Sequence, residues 1–382
     1  MTVPAFDLAL PGRVSFGVGR ASEVAGVAAA LGRRVLVVTG ASPERVADVV
    51  GPIHLHADTV GMVTAPGEPS VLDARMAVEA GRSLGADVVV AIGGGSAIDL
   101  AKAVAMLLAN GGDPMDYIEV VGAGQPITRP SVPVVAVPTT AGTGAEVTAN
   151  AVLAVPAHGV KASLRHPSMV PRHAIVDPAL TVGCSPAVTA AAGMDALTQC
   201  LEPYVSKRAN PVTDVWALAG LAAAGRGLRA AHADGADLAA RTEMSLCSLL
   251  GGLALANAKL GAVHGFAGVI GGLSGAPHGA VCAALLAPVC RVNLARADAA
   301  LTARFVAIAR ALTGEPRATA EDGLAWIEAT CALLGVPGLA RHGLTADQAA
   351  EVVRAAARAS SMQGNPVELG TDELTAIYLT AL

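Results

Sequence analysis

Aromatic side chains are scarce in this chain, with two Trp, three Tyr and four Phe among 382 residues. The interior must therefore be filled by Ala, Val, Leu and Gly. Charge is also thin, at 15% of residues and a net of −5, and neither sign is gathered into a block or a basic patch. That excludes nucleic acid and anionic membrane surfaces as expected partners. No apolar run is both long and uninterrupted enough to read as a membrane span, and the start, Met1-Thr2-Val3-Pro4-Ala5-Phe6, lacks a basic region followed by an apolar one. Six cysteines, at 184, 200, 247, 282, 290 and 331, form no Cys-x-x-Cys pair. A disulfide framework is excluded on that count, and a reducing cytoplasm is the expected setting.

What is present is hydrophobic, at 53% of residues, enough for a well-cored protein of two domains. No internal repeat or low-complexity linker interrupts it. Up to about residue 180, β-branched runs alternate with Ala-rich helical stretches. Residues 34–39, 86–92 and 132–137 read as buried strands, and 71–84 and 97–108 as helices. Such alternation predicts a parallel sheet wrapped by helices. Beyond Asp177-Pro178 the β-branched runs vanish, and long Ala/Leu-rich stretches predict a helical domain. The expected division is an α/β domain over 1–180 and an all-α domain over 181–382.

Two loops of the first domain carry a ligand signature. Ile92-Gly93-Gly94-Gly95-Ser96-Ala97-Ile98-Asp99 ends a strand and opens a helix. Glycines there let backbone N–H groups approach a pyrophosphate, and the helix N-terminus adds a favourable dipole. A plain glycine turn capped by Ser96 is the competing explanation. The second loop, Pro138 to Thr148, is rich in hydroxyls and glycine and also follows a strand, where open α/β sheets bind ligands. Turn chemistry does not readily explain two such loops on neighbouring strands.

The helical half carries Gly193-Met194-Asp195-Ala196-Leu197-Thr198-Gln199-Cys200. On a helix, Asp195 and Gln199 leave the same face one turn apart. A buried carboxylate needs a partner, and His264 and His278, each followed by glycine, are candidates. The set resembles a divalent-metal site with one awkward member, since an imidazole would bind better than Gln199. No thiol is implicated, because Cys200 points about 100° away round the helix.

In order and spacing, Gly93-Gly94-Gly95-Ser96 with Asp99 and Lys102, the Pro138–Thr148 run, Lys161, Asp177-Pro178, Gly193 to Leu197, and His264 with His278 resemble the iron-containing (group III) alcohol dehydrogenases. The likeness runs from Phe16-Gly17-Val18-Gly19 to Asn365-Pro366. It implies the dehydroquinate synthase-like fold, an NAD(P)-binding α/β domain, an α-helical domain, an active site between them, and a homodimer or larger homo-oligomer. Carried over, Gly93, Gly94, Gly95 and Ser96 hold the pyrophosphate, with Asp99 in the same motif. Thr139, Thr140 and Thr143 line the adenine and phosphate side, and Lys161 approaches the nicotinamide ribose. Many NAD-preferring relatives have an Asp where this chain has Gly40. Its loss removes a ribose acceptor and the repulsion against a 2′-phosphate, which Ser42 and Arg45 are placed to contact. NADP(H) is therefore expected ahead of NAD(H), although Gly40 also suits a simple turn.

The resemblance implies iron or zinc ligated by an Asp, a His four residues on, and two histidines fourteen apart. Asp195, His264 and His278 keep those places, whereas the second ligand is Gln199, and a His often found near the chemistry is replaced by Gly268. Three readings follow. Asp195, Gln199, His264 and His278 hold Fe(II) or Zn(II) as a Lewis acid. Alternatively the site works without metal, as in maleylacetate reductases, and its residues orient a keto acid. A polar cluster without catalytic role is the third. The expectation is an NAD(P)-dependent oxidoreductase interconverting a carbonyl compound with its alcohol, with Asp195, His264 and His278 at the reacting oxygen. A non-catalytic nucleotide-binding protein is the alternative from another class.

Overall fold

The computed structural model describes residues 5–382. Its chain divides into two compact units. One comprises Ala9–Thr140 and Gly144–Thr181. The other comprises Val182–Leu382 with Ala141–Thr143 and, of the described N-terminal residues, 5–8.

The first unit is built on a six-stranded parallel sheet. Its strands are β1 (Arg13–Phe16), β2 (Arg34–Thr39), β3 (Thr59–Thr64), β4 (Val88–Gly93), β5 (Val134–Pro138) and β8 (His173–Val176), in the order β1-β8-β5-β4-β2-β3. Every residue of β4 and β5 is buried, which is why these segments read as unbroken apolar runs rather than alternating ones. Strand order reverses at β2, with β3 on one side of it and β4, the next in the sheet, on the other. Register pairs Thr39 with Ile92 and Gly93 with Pro138, so the loops after β2, β4 and β5 emerge together at the carboxyl edge. A reversal of this kind opens the crevice where α/β sheets take ligands. The helix Val71–Leu84 starts on a Ser70–Asp73 capping box and stops at Gly85, whose φ of 64° favours glycine. An antiparallel hairpin, β6 (Asn150–Val155) and β7 (Val160–Arg165), is an addition that the alternating pattern did not predict.

Beneath the hairpin lies a buried ionic group. Lys102 Nζ donates to the carbonyls of Ala145 and Thr148 and to Thr148 Oγ1, and lies 3.4 Å from Asp99. Burial pushes the neighbouring Glu146 carboxyl up to about 7, with Lys102 opposing. A folded value above the unfolded one adds stability that is complete below about pH 4 and fades as pH rises through about 7. Thermal stability is expected to fall between about pH 5 and pH 8, by on the order of 3 kcal/mol at most from this group. Glu146→Gln should remove much of that fall. A variant with an unaltered pH slope in thermal unfolding would show that Glu146 does not titrate there.

The second unit is helical. At its centre lies Pro186–Val205, started by Ser185, whose hydroxyl accepts from Val188 N–H, and by Pro186 at the first turn. It packs against Pro211–Ala233, Leu238–Ala258 and His278–Ala295. Small residues permit this closeness: a Cβ on Gly193 would stand 2.3 Å from Leu228 Cδ1. The helix His278–Ala295 has the length and mean hydropathy of a membrane span. It nevertheless carries Pro288 and buries Val281, Cys282, Leu285, Leu286 and Val289 in this core.

Candidate active site

Three helices of the second unit bring Asp195, Gln199, His264 and His278 into one neighbourhood. Asp195 and Gln199 share a face of Pro186–Val205, and Glu202 continues that face at the next turn. Both Glu202 oxygens are used: Oε1 accepts the backbone N–H of Val263, and Oε2 lies 2.7 Å from His264 Nδ1. The helix Ala262–Ser274 begins at Gly261, which provides no side-chain cap. Its first N–H groups go instead to Asn365 Oδ1 and to Glu202. This is how Asn365, from the C-terminal Asn-Pro pair, supports the site.

With Nδ1 of His264 held by Glu202, its Nε2 faces Asp195 Oδ1 at 3.3 Å, and His278 Nε2 lies 3.7 Å from the same oxygen. The two ring centroids are 5.3 Å apart. Asp195 is 2% exposed, yet its Oδ1 has no hydrogen-bond partner of acceptable geometry among the described residues, and neither has Gln199 Oε1. Two buried acceptors left open beside two imidazole nitrogens are costly unless something positive sits among them.

One element corrects the sequence expectation that no thiol takes part. Cys282, one turn after His278 on the same helix, places Sγ 3.8 Å from His264 Nε2 and 3.6 Å from His278 Nε2. Donor atoms of Asp195, His264, His278 and Cys282 all lie within 4.8 Å of one another, a grouping able to hold a metal ion. Cys200 does face elsewhere, its Sγ lying 3.9 Å from Cys247 Sγ inside the core.

Electrostatics in the cluster follow from this crowding. Burial pushes the Asp195 carboxyl up, but His278, His264 and Gln199 outweigh it and hold it below the usual range. Cys282, with help from Asp195, raises His278 to about 9 against the opposing effect of burial. Burial would lower His264, but Cys282, Asp195 and Glu202 raise it well above its ordinary value. Both rings are thus drawn towards their protonated forms, so protons and a metal compete for the same nitrogens.

In the sheet unit, β4 ends at Gly93 and the helix Gly95–Asn110 begins at Gly95, with Gly94 as its cap and no side-chain capping bond. Ser96 is therefore not the cap that a plain turn called for. A Cβ on Gly93 would come within 2.6 Å of Ala97 Cβ and 3.0 Å of Gly40 N, and one on Gly94 within 3.2 Å of Thr140 Oγ1. Close approach requires glycine at 93 and leaves little room at 94, and the first-turn N–H groups suit a phosphate. Thr139 N–H bonds to Gly93 O, tying the two loops together.

Two residues of the expected cofactor set have other attachments. Asp99 accepts the backbone N–H of Val152 and lies against Lys102, so it fastens the hairpin to the glycine-loop helix. Lys161 forms an ion pair with Glu68. Gly40 has no positive φ, and a Cβ there meets nothing within 4 Å, so neither space nor backbone demands glycine. Ser42 and Arg45 are exposed nearby in sequence.

Comparison with known proteins gives this arrangement a lineage. Residues 11–178 match the family "Iron-containing alcohol dehydrogenase" and residues 189–382 match "Fe-containing alcohol dehydrogenase family, C-terminal". The chain belongs to the iron-containing alcohol dehydrogenase family. The 1,3-propanediol dehydrogenase of Citrobacter freundii is 38% identical over 303 residues, covering 77% of each protein. NAD-dependent methanol dehydrogenase of Bacillus methanolicus is 35% identical over 326 residues, covering 83% of each. A crystal structure of a 1,3-propanediol oxidoreductase superposes with a TM-score of 0.93 at 32% identity, covering 99% of this chain and all of that one. This member of the family is an oxidoreductase of the alcohol dehydrogenase type, with an N-terminal parallel α/β unit and an all-helical C-terminal one.

Proposed function

We propose that this enzyme interconverts an aldehyde or ketone with its alcohol, using NADP(H) ahead of NAD(H) and a divalent metal held by Asp195, His264 and His278. The observation that carries the metal is the open Oδ1 of buried Asp195 beside two imidazole Nε2 atoms. When bound, the nicotinamide supplies or accepts the hydride and the metal polarises the substrate oxygen. Glu202 fixes the His264 ring so that Nε2, not Nδ1, is presented to the site. Gln199, also assigned to the metal site, steadies the Asp195 carboxylate. Gly93, Gly94, Gly95 and Ser96 form the pyrophosphate cradle, flanked by Thr139, Thr140 and Thr143. Asp99 fixes that cradle's helix, and Lys161 approaches the ribose from its pair with Glu68. Gly268 has no side chain to carry a proton, and a Cβ there meets open space, which favours a roomy substrate pocket. Six free cysteines accord with a reducing cytoplasm, and family habit with a homodimer or larger homo-oligomer.

The preference for NADP(H) rests on Gly40, which leaves no carboxylate against a 2′-phosphate, with Ser42 and Arg45 following it. Steady-state kinetics on a panel of aldehydes and ketones should give a higher kcat/KM with NADPH than with NADH. Gly40→Asp is expected to cost roughly tenfold or more with NADPH. Failure to oxidise either cofactor with any panel member, in the presence of Zn(II) or Fe(II), refutes the function. Equal use of both cofactors refutes the preference alone.

A further inference from the structure

We propose that Cys282 is the fourth protein ligand of the metal, bound as a thiolate, so that this centre has an Asp195/His264/His278/Cys282 donor set suited to zinc. The inference rests on the metal reading above and extends it to a residue outside the expected ligand set.

Geometry carries it. Bonds of about 2.0 Å to nitrogen and oxygen and about 2.3 Å to sulfur, at tetrahedral angles, put N···O edges near ~3.3 Å and N···S edges near ~3.6 Å. Here the N···O separations are 3.3 and 3.7 Å and the N···S separations 3.8 and 3.6 Å. Four edges of a coordination tetrahedron are therefore already near length before any ion is placed. Cys282 is fully buried, and it shares a helix with His278, which fixes two donors on one rigid element. Asp195 Oδ1, open and buried, completes the set.

Charge and softness point the same way. A carboxylate and a thiolate together neutralise a divalent ion, which a carboxylate and the neutral amide of Gln199 cannot do. Sulfur also shifts selectivity from iron(II) towards zinc. Gln199 is then an outer partner, one turn from Asp195 on the same helix face. On binding, the Cys282 S–H bond breaks, its electron pair forms the sulfur–metal bond, and the proton leaves to water. No oxidation state changes. Zinc accepts a fifth neighbour, so four protein ligands do not close the site to chemistry.

Cobalt(II), a spectroscopic stand-in for zinc, tests the assignment when titrated into metal-stripped protein. The expected result is one cobalt per chain with a near-ultraviolet sulfur-to-cobalt charge-transfer band. Cys282→Ser should lose the band and weaken binding by more than the roughly 10–100-fold typical of an outer-shell partner. Gln199→Ala should keep the band. X-ray absorption of the zinc-loaded, unsubstituted protein needs no variant and should show one sulfur neighbour at about 2.3 Å. One cobalt bound without the band, or a band that survives Cys282→Ser, overturns the thiolate while leaving the metal reading standing. No cobalt bound overturns both.

Discussion

Replacing Asp195 with Asn is expected to lower turnover by roughly 10³-fold or more while the protein stays folded. The two side chains have nearly the same shape, so the packing of Pro186–Val205 is preserved. What is lost is charge: Asp195 Oδ1 is the oxygen that both His264 Nε2 and His278 Nε2 face, at 3.3 and 3.7 Å. A neutral amide oxygen binds a divalent ion weakly, and it no longer favours positive charge on the rings. Metal content should fall well below one per chain together with turnover, while circular dichroism and cofactor binding remain as in the parent. A variant within about threefold of the parent's kcat/KM would remove Asp195 from the chemistry.

Gly279→Ala should damage both stability and activity through a single methyl group. The added Cβ would stand 2.3 Å from the carbonyl oxygen of Ala191 and 2.7 Å from its carbon. Both atoms belong to the backbone of Pro186–Val205, one turn before Asp195, so no side chain can rotate to relieve the clash. The helices have to separate where His278 meets Asp195. Overpacking of this kind costs about 1–3 kcal/mol. The melting temperature should drop by several degrees, and metal affinity should fall with it, because the His278 and Cys282 donors move as one body. Thermal unfolding and metal titration on the same preparation measure the two effects. Parental values in both would mean that the contact relaxes without moving the site.

Much of this was legible in the sequence for identifiable reasons. Strands β2, β4 and β5 are buried on both faces, so they appear as continuous apolar runs. The glycine loop is legible because close approach at Gly93 leaves no room for a side chain and at Gly94 little. The hairpin of β6 and β7 was not, since it lies outside the parallel sheet whose alternation with helices supplied the pattern. In the site, Asp195 and Gln199 announce a helix face by their spacing, and Glu202 lies on the same stripe. It was missed because its role is to hold His264, sixty-two residues away. Cys282 bears the same four-residue relation to His278 as Gln199 does to Asp195. That spacing was the available signal, but the thiol is drawn in only by the packing of His278–Ala295 against Pro186–Val205, which no local pattern reveals. Asp99 and Lys161 show the reverse case, in which motif position pointed to the cofactor while the side chains also tie down the hairpin and Glu68.

A metal at Asp195, His264 and His278 is the centre of the proposed chemistry. Its most direct test is to follow carbonyl-dependent NADPH and NADH oxidation on protein stripped by a chelator, then after adding back one equivalent of Zn(II) or Fe(II). The stripped enzyme should be inactive and the reconstituted one restored, with one metal per chain. Full activity surviving complete metal removal would contradict it and make the cluster a metal-free device for orienting substrate.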